Sequence, residues 1–270
     1  MMHGEADRNS TTYKADLLDY IDRFTDDYCV GVLGQELLPL WVIHTPSKEP
    51  WATDHQRLPQ AQMDIEAERP NVVIAYPTYA LQNGESSNAA GGGPEHPTAN
   101  GSREAGYRVA KAIEYHFRGQ NFFCPRMVAA ARQGRTAYIG FAALHYPIVN
   151  QSCWLFNSYQ RGQITNLGFY FTDDNGSLPG TATISSEYDS LVEVAFDRDP
   201  VGTVTAIYAG ETNSQGRGNI ADSDNYVTPF EYLVDPAGNQ YPGEDVASER
   251  DRPYLSNNWA LPQAFVIPAA

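Results

Sequence analysis

The chain has few lysines, no cysteine pair, no long apolar run and no clustered histidines, and each shortage excludes something. Among its 270 residues only Lys14, Lys48 and Lys111 are lysines, and Asp plus Glu outnumber Lys plus Arg by 33 to 18, giving a formal charge of −15. A surface of that sign repels phosphate backbones and anionic headgroups, so neither nucleic acid nor a membrane surface is expected as the main partner. Acidic, lysine-poor composition suits a salty medium, where screening removes carboxylate repulsion, although GC-rich coding favours arginine over lysine equally well. Cys29, Cys124 and Cys153 are odd in number and far apart, which fits a reducing compartment better than a disulfide framework. No apolar run approaches the roughly twenty residues of a membrane span. The polar opening MMHGEADRNSTTY lacks the apolar core of a secretory signal, so synthesis in the cytoplasm is expected. The glycosylation triplets at Asn9, Asn100, Asn150 and Asn175 are accordingly read as chance.

The chemistry-bearing residues are equally scattered. His3, His44, His55, His96, His116 and His145 contain no i, i+4 pair, and no Cys-x-x-Cys exists, so no zinc site is legible. His44 and His145 each end an apolar stretch and read as satisfied strand-end residues; His116 lies two residues from Glu114, too close to share a helix face. Gly91-Gly92-Gly93 lacks the Gly-Lys-Ser/Thr ending of a phosphate loop. Asp26-Asp27 and Asp173-Asp174 are adjacent acids, which cannot face each other across a glycosidase cleft. Asp222-Ser223-Asp224-Asn225 alternates like a calcium loop but lacks the glycine and distal glutamate of an EF-hand, so calcium is the one metal with any sequence support and these acids otherwise read as solvated turn residues. Asn150-Gln151-Ser152-Cys153-Trp154 ends in a Cys-Trp pair that resembles papain-like proteases over about five residues. That family's histidine follows its cysteine, whereas His145 is the last histidine here, so Cys153 reads as a buried strand cysteine. No catalytic or cofactor-binding residue is assigned, and metal ligands are left open.

What is present is β-like texture. Apolar residues at 42% are near the globular norm. Ser190–Gly210 alternates with period two: Val192, Val194 and Phe196 on one face, then Val204, Ala206 and Tyr208, with turn formers between. This predicts an antiparallel hairpin. Further short strands are expected at Leu37–Thr45, Asn71–Leu81, Phe122–Phe123, Thr136–Leu144, Cys153–Phe156, Ile164–Phe171, Thr181–Ser185 and Val227–Val234. Helices are expected over Tyr13–Tyr28, with Leu17, Leu18, Ile21 and Phe24 as its apolar stripe, and over Arg103–Phe117, with Ser102 as N-cap and Tyr107, Ala110, Ile113 and Phe117 inward. Lys48–Arg69, polar with Pro50 and Pro59, reads as an extended loop.

The predicted organisation is a polar arm over 1–12, a helix- and loop-containing region over 13–120 with a mobile Gly/Ser-rich loop at 82–102, an antiparallel β body over 121–234, and a loop-rich C-terminal segment over 235–270 docked on its own domain or a neighbour. The four regions can equally form one domain. The fold class is mainly β (α+β), an antiparallel β-sandwich or jelly-roll-like body behind a helix-containing N-terminal region. Arm, β body, apolar tail and the missing catalytic set suit a self-assembling structural protein such as a virion subunit of capsid, neck or tail, partnered by copies of itself and other assembly proteins. Seventeen tyrosines suit such interfaces. The alternatives are a β-scaffold hydrolase or lyase acting on polysaccharide, with Trp41, Trp51, Trp154 and Trp259 as platform candidates, and a monomeric binding module.

Overall fold

A computed structural model describes residues 10–46, 57–83, 97–155, 161–210, 214–231 and 252–268. Helix α1 (Tyr13–Arg23) buries Tyr13, Leu17 and Ile21 and continues into π-helical turns over Phe24–Val30. Strand β1 (Trp41–Thr45), helix α2 (Arg57–Glu68) and strand β2 (Val72–Pro77) follow, and β1 and β2 pair in parallel. A helix therefore replaces most of the loop expected at Lys48–Arg69, the remainder of which lies outside the described residues. Pro59 is tolerated because it sits in the first turn, where its missing N–H has no intrahelical acceptor to lose. The buried positions Leu58, Gln62 and Ile65 do recur at helical spacing, but a glutamine among them disguises the stripe. Gln62 is accommodated by a 2.9 Å hydrogen bond to Tyr13 Oη.

Helix α3 spans Ala99–Phe117, four residues longer at its start than the sequence suggests. Its cap is Thr98 rather than Ser102: Thr98 Oγ1 accepts the Gly101 N–H at 3.1 Å. Gly101 belongs there because a side chain would run into the Gln82 carbonyl. The inward face also differs. Gly101, Glu104, Ala105, Arg108, Lys111 and Ala112 are buried, while Phe117 is 83% exposed. Charged residues occupy the core-facing stripe and partner one another there, so an apolar-periodicity argument selects the wrong face.

The β body begins with β3 (Arg126–Gln133) and β4 (Thr136–Ala142), passes through the short pieces β5 (Val149–Asn150), β6 (Cys153–Trp154) and β7 (Arg161–Gly162), and reaches β8 (Phe169–Asp173) and β9 (Gly176–Ser177). Then come β10 (Gly180–Ile184), β11 (Leu191–Phe196), β12 (Val204–Tyr208), β13 (Ile220–Ala221) and β14 (Gln263–Ile267). One four-stranded antiparallel sheet has the order β10-β11-β4-β3 and another β14-β12-β8-β9. Their inward residues share one core in a sandwich-like arrangement: Phe171 of one sheet meets Phe196 of the other edge-on at 5.4 Å. Phe122–Phe123 forms no strand, and Val227–Val234 shows only an isolated bridge at Glu231 within its described part.

The hairpin expected over Ser190–Gly210 is not one. Its two strands exist with the predicted faces inward, but β11 pairs with β10 and β4 whereas β12 pairs with β14 and β8. The link between them crosses from one sheet to the other. Its anchor is Asp173, which accepts Arg198 Nη1 at 2.5 Å, Arg198 Nη2 at 2.9 Å and the Val201 N–H at 2.8 Å. Alternation fixes which face a strand buries, not which neighbour it takes. The tail docks on its own domain: β14 pairs with β12, and Trp259, Ala260 and Leu261 are buried.

Candidate functional site

The charged inward face of α3 builds the most elaborate polar cluster among the described residues. Lys111 Nζ donates to Asp224 Oδ2 at 2.5 Å, to the Ser256 carbonyl at 2.6 Å and to Asn258 Oδ1 at 2.9 Å, which uses all three ammonium protons. Asp222, fully buried, accepts the Asn258 N–H at 2.7 Å and its side-chain amide at 2.6 Å. One turn earlier Arg108 pairs with Glu104 at 2.7 Å and donates to the Asn257 carbonyl at 2.9 Å. Two basic positions of one helix, Arg108 and Lys111, thus hold the 255–258 stretch in place.

A cleft of about 530 Å³ opens above this floor. Tyr107, Lys111, Glu114 and Tyr115 line it from α3, with Arg118 at the helix C-cap, and Asp224, Tyr226 and Phe230 line it from the opposite segment. His145, from the loop after β4, sits between: its Nε2 is 3.2 Å from Tyr115 Oη and 4.0 Å from Asp224 Oδ2. Burial pushes Lys111 below its ordinary value, against the pull of the neighbouring carboxylates. Burial alone would raise Asp224, but the Lys111 hydrogen bond and charge outweigh it and hold that carboxyl below the usual range. Asp222 is pushed up by burial. Tyr107 is pushed up to about 12, again by burial, so its hydroxyl stays protonated and able to donate at any physiological pH.

A second cleft of about 400 Å³ lies at the edge of β2, with Glu66, His116, Phe122, Phe123 and Arg126 in its lining. There Arg126 pairs with Glu66 at 2.6 Å while Glu66 Oε1 accepts the Ile74 N–H at 2.7 Å. These groups close the strand edge, which is a structural role.

The sequence-level candidates land as follows. Asp222 and Asp224 are not solvated turn residues; their carboxylates are the internal acceptors of the α3 cluster. Asp173 is the crossover anchor, while Asp26 and Asp27 are exposed on the π-helical segment. Cys153 is buried, with a thiol pushed up to about 11 by burial. His44 is buried and stacked on Tyr76 at 5.8 Å. Trp154 and Trp259 are fully buried, so neither offers an open ring face as a platform, and the partly buried Trp41 packs against Tyr20 and Phe24. His3, His55, His96, Trp51 and residues 84–96 lie outside the described residues. The exposed aromatic wall is made by Tyr107, Tyr115, Tyr226 and Phe230, which sequence reasoning missed. The available signal was Lys111, one of three lysines, on a helix whose i−4, i+3 and i+4 neighbours are Tyr107, Glu114 and Tyr115.

No family model matches the chain, and no curated protein matches it. Among solved structures, a carbohydrate acetylesterase from Xanthomonas citri is similar at 18% identity with a TM-score of 0.56, over 81% of this chain and 46% of that one. The likeness is one of fold, and the chain spans less than half the length of that protein. The bacterial S-layer protein SbsC is similar over 80% of this chain and 24% of its own at 13% identity, with a TM-score of 0.27 that supports no argument.

Proposed function

We propose that this chain is the glycan-contacting part of a β-scaffold hydrolase acting on polysaccharide, with ester-linked acyl groups as the bonds attacked. The observation that carries the reading is the cleft: aromatic walls over a satisfied polar floor, of a volume within the roughly 300–1,000 Å³ usual for small-molecule sites. The fold likeness to a carbohydrate acetylesterase supports it. The reading assigns recognition to the described residues and leaves the nucleophile unassigned. It is tested by incubating the intact chain with acetylated xylan and measuring released acetate, alongside retardation of the protein in gels containing the same polymer. Retardation with acetate release is the expected outcome. No retardation and no acetate across a panel of acetylated polymers would overturn the reading.

A second reading, self-assembly, of which the virion subunit expected from the sequence is one form, is supported on the self-assembly side by one separate observation. Val32, Leu33, Leu37 and Leu38, two apolar pairs in the stretch before β1, are each more than half exposed. Contiguous exposed apolar residues mark contact surfaces. Light scattering after gel filtration at low and at molar salt tests it: a discrete ring or shell mass supports assembly, and a monomer at every salt excludes it. No helix of the described residues is long and apolar enough to cross a membrane.

A further inference from the structure

We propose that the aromatic and aliphatic face running from Tyr20 to Leu38 is the contact on which a second copy of this chain docks, about a two-fold axis. The proposal rests on the self-assembly reading and names its surface, its partner and its symmetry.

The face is concentrated and continuous. Among the described residues, eight of the eighteen exposed large apolar or aromatic side chains fall between residues 20 and 38. Tyr20, Phe24 and Tyr28 form a line of rings with centroids 6.2 Å and 5.2 Å apart, and the partly buried Trp41 closes on Phe24 at 5.4 Å and on Tyr20 at 5.7 Å. The backbone keeps that line together. Four residues overshoot one turn of α-helix, which carries Phe24 past Tyr20 around the axis. In the π-helical turns over Phe24–Val30 four residues fall short of one turn, which brings Tyr28 back. The segment carrying Val32, Leu33, Leu37 and Leu38 leaves the line at Tyr28 and returns to it at Trp41. Its turn is well tied: the Leu33 N–H donates to the Tyr28 carbonyl at 2.9 Å and the Gln35 N–H to the Cys29 carbonyl at 2.8 Å. Gly34 takes a left-handed φ of 64°, and a side chain at Gly31 would run into the Asp27 carbonyl. The aliphatic side chains are thus presented in one arrangement before a partner arrives, which lowers the ordering cost of association.

Area and composition choose the occupant. With roughly 150–200 Å² for a fully open side chain of these kinds, the eight together expose on the order of 700–900 Å². That is the share one partner brings to a standard interface, and more than the largest apolar patch of a typical monomer. Tyrosine, phenylalanine and tryptophan are the residues in which association surfaces are enriched. A second copy brings an apolar face of equal area and the same chemistry, and homo-oligomers most often close through such self-complementary patches about a two-fold axis. The acids of the same segment set the salt dependence. Asp26 and Asp27 are exposed in both copies, on a chain of formal charge −15, so screening should tighten the contact. A basic partner on this face would instead be released by salt.

The test is sedimentation velocity of the intact chain over a range of protein concentrations, at low and at molar salt. A dimer should be the smallest assembled species and should tighten with salt. Leu37→Asp combined with Leu38→Asp sets two charges on the face and should weaken association by about a hundredfold or more. Leu37 is 80% exposed and Leu38 63% exposed, so the double variant should melt with the parent. Val32→Asp repeats the readout from the other end of the turn, and Tyr188→Asp, exposed in the link from β10 to β11, should leave association unchanged. The failures are separable. A monomer at every concentration and salt sinks this face and the self-assembly reading together. An assembly that the Leu37 and Leu38 variants leave intact, one that salt dissolves, or an odd-numbered ring without a dimer keeps self-assembly and overturns the two-fold contact on this face.

Discussion

Tyr79 Oη lies 3.2 Å from Tyr208 Oη, and both rings are fully buried. One tyrosine follows β2 in the helical layer and the other ends β12 in the sandwich-like body, so the pair is the polar rivet between the two. Tyr79 donates to the Ala260 carbonyl at 2.5 Å, and Tyr208 Oη accepts the Ile220 N–H at 2.9 Å. Burial raises the phenol of each above the ordinary tyrosine value, so both stay neutral. Gly218 is required beside them, because a Cβ there would overlap the Tyr208 hydroxyl.

Tyr208→Phe keeps the ring and strands the Ile220 amide, a buried donor without a partner. The expected loss is about 1–3 kcal/mol, read as a lower urea midpoint with unchanged slope. Gly218→Ala should cost at least as much through the overlap. A Tyr208→Phe variant as stable as the parent would mean the hydroxyl pair carries no weight in holding the layers together.

Lys111 gives a sharper contrast. Lys111→Met leaves Asp224 and Asn258 without their donor beneath the cleft, and breaking a buried pair from one side costs about 3–5 kcal/mol. Adding Asp224→Leu should recover much of that loss, since replacing both partners removes the uncompensated charge. A double-mutant cycle measures the coupling directly. If the double variant is no better than Lys111→Met, the ammonium is stabilising the 255–258 backbone and not the carboxylate.

These two sites show where sequence reasoning reached and where it stopped. The period-two pattern at Val192–Phe196 and Val204–Tyr208 correctly gives the buried faces, because alternation is imposed by the strand itself. It cannot give their partners, because register and sheet membership are set by residues far away, Asp173 among them. Helix α3 was legible as a helix, yet its buried stripe was not, since Glu104, Arg108 and Lys111 are expected outside and are inside only by pairing with each other and with residues 224–258. Helix α2 was hidden by a tolerated proline. The cleft inherits all of this: its walls come from one helix face and a distant loop, and nothing local to either announces the other.

The three cysteines should be silent in the folded chain. Cys29, Cys124 and Cys153 are all buried, and burial pushes the Cys124 thiol up to about 12 and the Cys153 thiol up to about 11. The thiolate is the reactive species, so at pH 8 the folded protein should react with a thiol reagent far more slowly than the denatured chain. Rapid stoichiometric labelling of Cys153 in native protein would reopen the nucleophile that its Cys-Trp context suggests.

The acid limb of stability should trace largely to the crossover anchor. Arg198, bonded through both terminal nitrogens, and the amides of Val201 and Asn175 hold the Asp173 carboxyl well below the usual carboxylate range, against a smaller opposing effect of burial. Because the folded value lies below the unfolded one of about 3.9, this stabilisation is complete above that pH and is lost as the pH falls beneath it. Asp222, raised by burial, works in the opposite sense: the folded state favours its proton, so its contribution falls as the pH rises past the ordinary carboxylate value. Measuring urea midpoints from pH 6 to pH 2 separates the two. Asp173→Asn should lower stability at pH 6 and flatten the descent below pH 4, whereas Asp222→Asn should leave that descent in place. A parent-like acid limb in Asp173→Asn would show that the link between the sheets is held by the turn itself and not by the carboxylate beneath it.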